Sequence, residues 1–158
     1  VAIRMKEPSQ ADLIRKRLMN IRMRLYATPE YLAQNGTPLT MADFASHRLI
    51  CQHPGTAQVA AGASLVQDLM ANDIPSTLTV NNYFGVVQAV LNHLGIGVLP
   101  DYITEDFPQL VRVLPETESI EVPVFLAYPE ELRHSKRVAA FREFVTEEIF
   151  KYRKREQA

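Results

Sequence analysis

Two short polar turns carry the side chains best suited to gripping a small ligand. In one, Asn81, Asn82 and Tyr83 stand between a strand-like run over 78–80 and an amphipathic run that continues to Leu94. An asparagine amide and the free N–H groups of a helix start can hold a carboxylate or a carbonyl. An asparagine there can also simply cap the helix, and the two roles are compatible. In the other turn, Ala27 and Thr28 precede Pro29 and Glu30, a hydroxyl N-cap followed by proline at the first helical position. The Thr28 hydroxyl, or the N–H beside it, either faces a ligand or serves the cap alone. Arg4 follows a strand-like run and suits either an anion in a cleft or a salt bridge at the surface or a dimer face.

Other chemistry does not assemble. Cys51 and His53 lie close enough in sequence to suggest a thiol–imidazole nucleophile. No third orienting group or oxyanion motif accompanies them, and a buried cysteine beside a loop histidine accounts for both. His47, His53, His93 and His134 show no metal-ligand spacing with Cys51 or with carboxylates, so no metal is expected. His93 sits where a cation suits a helix end. Gly95-Ile96-Gly97 closes a helix, whereas dinucleotide-binding glycines open one, and no cofactor is expected. Glu105, Asp106, Glu116, Glu118 and Glu121 form a solvated edge without an acid–base pair. These readings predict a binding domain and no enzyme.

The elements that must position these turns follow from periodicity. Residues 77–80, 83–94 and 96–99 read as strand, helix and buried strand, a βαβ unit. Tyr83, Val86, Val87, Val90, Leu91 and Leu94 form the helix's apolar face, with Gly95 as a left-handed stop. In open α/β sheets small ligands sit where such strands end. Residues 1–4 read as a buried strand, 7–12 as a loop and 18–28 as a half-exposed strand with Met19, Ile21, Met23 and Leu25 inward. A short helix runs from Pro29 to near Gly36, and Thr40 with Asp43 marks a second start resembling a capping box. Residues 48–51 read as a buried strand. The run 52–72, diluted by Gly55, Gly62 and alanines, is ambiguous, and 64–70 is taken as strand. A turn at 74–76, an acidic loop with one helical turn at 101–108, strands over 110–114 and 120–128, and a helix capped by Ser135 complete the chain. That last helix has Val138, Phe141, Phe144, Val145, Ile149 and Tyr152 on its inner face.

Bulk properties bound the class. The chain has 158 residues, 47% of them hydrophobic, enough for a core in one domain or two small lobes. A net charge of −1 argues against direct contact with nucleic acid, which needs a basic patch. The single cysteine allows no internal disulfide, consistent with a cytoplasmic setting. No apolar run reaches membrane-spanning length, so no membrane partner is expected. The chain opens on Val1 in a strand-like run, which predicts a piece of something longer.

Three segments in this order carry a family resemblance: Tyr26-Ala27-Thr28-Pro29-Glu30-Tyr31-Leu32, Leu94-Gly95-Ile96-Gly97-Val98-Leu99-Pro100, and Tyr128 followed by residues 135–144. Together they resemble the C-terminal effector-binding region of LysR-type transcriptional regulators, from Val1 to about Phe150. The resemblance implies an α/β, periplasmic-binding-protein-like bilobal fold of type 2, with lobe II nearly complete and lobe I partial. Residues 1–25 would be partial lobe I and the first crossing strand, 26–120 lobe II, and 121–158 the return strand and C-terminal helix of lobe I. It also implies a small-molecule effector between the lobes, a carboxylate or other small metabolite, for which Arg4, Ala27, Thr28, Asn81, Asn82 and Tyr83 are the candidate contacts.

In such regulators DNA is read only by an N-terminal winged-helix domain, joined through a long dimerising helix. Neither lies in this chain, nor does the first half of lobe I. A truncated lobe I predicts uncovered apolar surface at Phe125, Phe141, Phe144 and Val145, and hence self-association. The alternative is a solute-binding protein, which needs an export signal, or a small bilobal α/β enzyme, which needs a catalytic constellation.

Overall fold

The structure is a computed structural model that describes residues 1–5, 7–52, 76–117 and 120–156. His53, the strand expected over 64–70, most of the turn at 74–76, and Glu118 lie outside the described residues. The chain divides into two compact units, Val1–Asn20 with Pro123–Ala158, and Ile21–Val122.

Strand β2 (Leu13–Ala27) begins in the first unit and ends in the second, where it alternates inward Ile21, Met23 and Leu25 with outward Arg22, as a pleat with one buried face requires. β2 begins five residues earlier than its alternation suggests, because Arg15, Lys16 and Arg17 interrupt the apolar period without breaking the strand. Helix α1 (Pro29–Asn35) follows, capped by Thr28 and closed by Gly36 at φ 84°. Next come a 3₁₀ turn (Met41–Ser46) and the fully buried strand β3 (Leu49–Gln52). The turn is 3₁₀ and not α, and the Thr40 N–H donates to Asp43 Oδ2 at 2.8 Å.

Strand β4 (Ser76–Val80), helix α2 (Tyr83–Leu91) and strand β5 (Ile96–Pro100) form the βαβ unit. β3 lies between β4 and β5, parallel to both, while β5 runs antiparallel to β2. A short helix α3 (Ile103–Asp106) leads to β6 (Val111–Val113), which also pairs antiparallel with β2. Gly85 and three valines make α2 a poor helix former by propensity. Burial overrides this: Val86, Val87 and Val90 pack with Ile50, Leu99, Leu110 and Tyr26, each contributing about 1.5 kcal/mol or more.

Helix α2 ends three residues before the expected Leu94, which is 43% exposed. The left-handed residue is His93, at φ 59°, and not Gly95. The His93 N–H donates to the Val90 carbonyl at 2.9 Å and the Leu94 N–H to the Ala89 carbonyl at 3.1 Å, the paired bonds of a Schellman end. Gly95 serves another purpose. A Cβ there would run into the Arg48 carbonyl, where β3 begins and the Ile96 N–H donates at 2.8 Å.

In the first unit, β1 (Ala2–Arg4) pairs antiparallel with β7 (Ile120–Pro129), Ala2 opposite Ala127 and Arg4 opposite Phe125. The predicted strand is present but its burial is not: Val1 and Ile3 are about half exposed, three residues being too short a strand to acquire cover on both faces. After a 3₁₀ turn (Glu130–Leu132), helix α4 (Lys136–Glu156) starts beyond Ser135, whose carbonyl accepts the Ala139 N–H. Val138 packs with Leu126 and Tyr128 against Ile14 and Leu18. Phe141 and Phe144 are exposed as expected, but Phe125 and Val145 are buried. No helix among the described residues is long and apolar enough to cross a membrane.

Candidate functional site

The parallel strands β3 and β4 end side by side, Gln52 opposite Val80. Past Val80 the chain turns through Asn81 and Asn82 into α2. Asn82 is the N-cap: its Oδ1 accepts the Gly85 N–H at 2.8 Å, and its Nδ2 donates to Asn81 Oδ1 at 2.7 Å. Both asparagines are exposed. The cap satisfies the Gly85 N–H but not those of Tyr83 and Phe84, the first two helical donors, which have no acceptor among the described residues. The turn therefore presents two backbone N–H groups and the positive end of a helix.

Gln52 underlies this turn. Its side chain is buried, its Nε2 donates to the Asn81 carbonyl at 3.2 Å, and its Oε1 has no partner. Tyr83 is half-buried at the helix start, with Tyr102 beside it just beyond the end of β5. Burial raises the pKa of Tyr83 and the nearby Tyr102 adds to it. Burial also raises that of Tyr102, with Asp101 and Asp106 reinforcing the shift. Both phenols are thus held as neutral hydrogen-bond donors well above neutral pH.

The other expected residues sit differently. Thr28 is buried: its Oγ1 lies 2.7 Å from His93 Nδ1 and accepts the Tyr31 N–H at 3.4 Å. Its hydroxyl thus links the start of α1 to the end of α2. Ala27 is fully buried and pairs with Val111. Arg4 is exposed on β1, in the first unit. The structure therefore gathers Asn81, Asn82 and Tyr83 at one helix start, and places Thr28 and Ala27 at another.

Sequence reasoning missed Gln52, Tyr102 and the role of His93. The available signal for Gln52 was a lone amide closing the apolar run Leu49-Ile50-Cys51. For His93 there was none, since its partner Thr28 lies 65 residues away.

The family model described as LysR substrate binding domain matches residues 1–149. Among curated relatives, the transcriptional regulator CrgA of Neisseria meningitidis serogroup C is 28% identical over 156 residues, covering 94% of this chain and 51% of that protein. A probable regulator of Klebsiella pneumoniae, LtrA, is 31% identical over 125 residues, covering 76% of this chain and 40% of that one. The chain thus spans about half the length of the curated relatives it matches. The CrgA regulatory domain superposes with a TM-score of 0.76 at 21% identity, covering 93% of this chain and 74% of that one. The AphB regulatory domain of Vibrio vulnificus gives 0.65 at 20% identity, covering 86% and 70%. These structures establish the fold as the type 2 periplasmic-binding-protein-like α/β fold of LysR regulatory domains. With the family match extending across nearly all of its length, the chain belongs to the LysR substrate-binding domain family.

Proposed function

We propose that this chain is the effector-binding domain of a LysR-type transcriptional regulator, taking a small carboxylate at the turn that opens α2. The observation that carries this is the pair of N–H groups on Tyr83 and Phe84 without an acceptor among the described residues, set where β3 and β4 end, beside Asn81 and the buried Gln52 that bonds it. Donors fixed by a helix bind an anion without having to be ordered first. The named relatives are regulators, which favours signalling over turnover as the use of such a site.

In this reading the ligand acts by population shift. It changes regulation only through different affinities for two arrangements of a longer, oligomeric, cytoplasmic protein whose winged-helix domain meets the DNA. Exposed Phe141, Phe144 and Phe150 on α4 support self-association.

The test is a titration of the ¹⁵N-labelled chain with small aliphatic and aromatic carboxylates, followed at the Tyr83 and Phe84 amides. Saturable shifts there are the expected result. They should persist in Asn82→Ser, which keeps a capping oxygen, and weaken in Asn82→Ala. Shifts confined to other parts of the chain would refute the site.

A further inference from the structure

The Gln52 amide is oriented by its partner. The Asn81 carbonyl can only accept, so the amide nitrogen must face it, at 3.2 Å. Turning the amide over would set two oxygens against each other. Oε1 is thereby fixed as the free end. It is an acceptor with no donor, on a side chain 4% exposed. Native proteins seldom leave a buried acceptor empty, because it has lost water and gained nothing. The same amide is bonded through Nε2 to Asn81, which precedes the N-cap of α2 and lies two residues before Tyr83, whose N–H, like that of Phe84, has no acceptor among the described residues. One turn and the amide bonded to it thus carry two donors and one acceptor without partners among the described residues.

We infer that Gln52 is a specificity-determining residue of this site, and that the ligand is a carboxylate bearing its own hydrogen-bond donor, a hydroxy- or amino-carboxylate. The inference rests on the effector site proposed above. The carboxylate meets the helix N–H groups, and the hydroxyl or ammonium donates to Gln52 Oε1. A plain carboxylate of the same frame fills the same place but leaves Oε1 unpaired. Sites built to hydrogen-bond a substrate group reject the analogue lacking it far more strongly than apolar pockets reject a missing methylene.

The experiment compares matched probes on the chain: lactate with propionate, malate with succinate, salicylate with benzoate. In at least one pair the hydroxylated member is expected to bind tenfold or more tighter, with the Tyr83 and Phe84 amides shifting in both. Gln52→Met, similar in length and without polar hydrogen-bonding groups, should keep the weaker affinity and erase the difference. Equal binding within every pair, or a preference that survives Gln52→Met, overturns the inference and leaves the carboxylate site standing. No response at those two amides to any probe overturns the site and the inference together. The comparison in the unmodified chain does not depend on any variant folding.

Discussion

The Tyr31 hydroxyl lies 3.3 Å from Nδ1 of His47 and accepts the backbone N–H of Arg48 at 3.0 Å. The hydroxyl and the imidazole share that contact, the phenol donating when Nδ1 is bare. Burial lowers the His47 pKa and so favours the neutral ring, against a smaller opposing pull from Asp43. This cluster ties α1 to the start of β3 and so to Gln52 at that strand's far end.

Tyr31→Phe keeps the ring, and with it the Arg48 guanidinium 5.6 Å from the centroid, but removes both hydrogen bonds. The part-buried Arg48 N–H and the buried His47 imidazole lose that partner. The expected cost is about 1–3 kcal/mol, read as a lower denaturant midpoint at unchanged slope.

His47 also gives the fold a pH dependence whose sign is fixed. The unfolded chain takes up a proton near the ordinary histidine value of about 6.5, whereas the folded chain resists protonation to lower pH. Between those two values the unfolded state binds more protons, so stability rises with pH. The contribution is complete above about pH 6.5 and is lost as pH falls through that window. Asp43, held low by the Thr40 and Leu39 N–H groups, adds the same sign further down, below the usual carboxylate range. Denaturant midpoints should rise with pH up to about 6.5 and level off above it, and His47→Gln should flatten the rise. A slope unchanged by that substitution would refute the assignment.

Residue 93 should invert the usual helix preference. Alanine normally outperforms glycine near a helix, but position 93 requires a left-handed backbone. His93→Gly and His93→Ala both lose the Thr28 contact, so their difference isolates the backbone. The glycine variant is expected to be more stable by about 1 kcal/mol. Gly95→Ala, by contrast, drives a methyl against the Arg48 carbonyl. It should cost at least about 2 kcal/mol, because backbone cannot step aside. Thermal unfolding of the three variants checks both statements.

Thr28→Ala removes the N-cap of α1 and the partner of His93 at once, an expected loss of about 1 kcal/mol, while Thr28→Ser keeps both. The His93 ring signals should move in the alanine variant alone.

The exposed Phe141 and Phe144 on α4 lead to a prediction about assembly. Sedimentation should show self-association that Phe144→Glu weakens. A monomer at high protein concentration would count against it.

Local chemistry was readable in advance wherever one residue decides a local geometry. Thr28 with Pro29 started α1, Gly36 ended it, Asn82 capped α2, and Pro129 closed β7. Strand and helix periods located β3, β5 and most of α2. What stayed hidden depended on distant partners. The end of α2 is set by a histidine holding a left-handed angle, a place where glycine is the usual sign. The exposure of Ile3 depends on how little of β1 is covered, which no period encodes. Gln52 became a candidate only once its amide was seen facing the Asn81 carbonyl, 29 residues on.

Strand β3 has four side chains, all buried. Leu49, Ile50 and Cys51 are committed to the interior, and the fourth, Gln52, stands at its edge. On the inferred role of Gln52, a change of ligand preference needs one codon and leaves the packing of the strand alone. An engineer pursuing that role would vary residue 52 first and leave the three before it untouched.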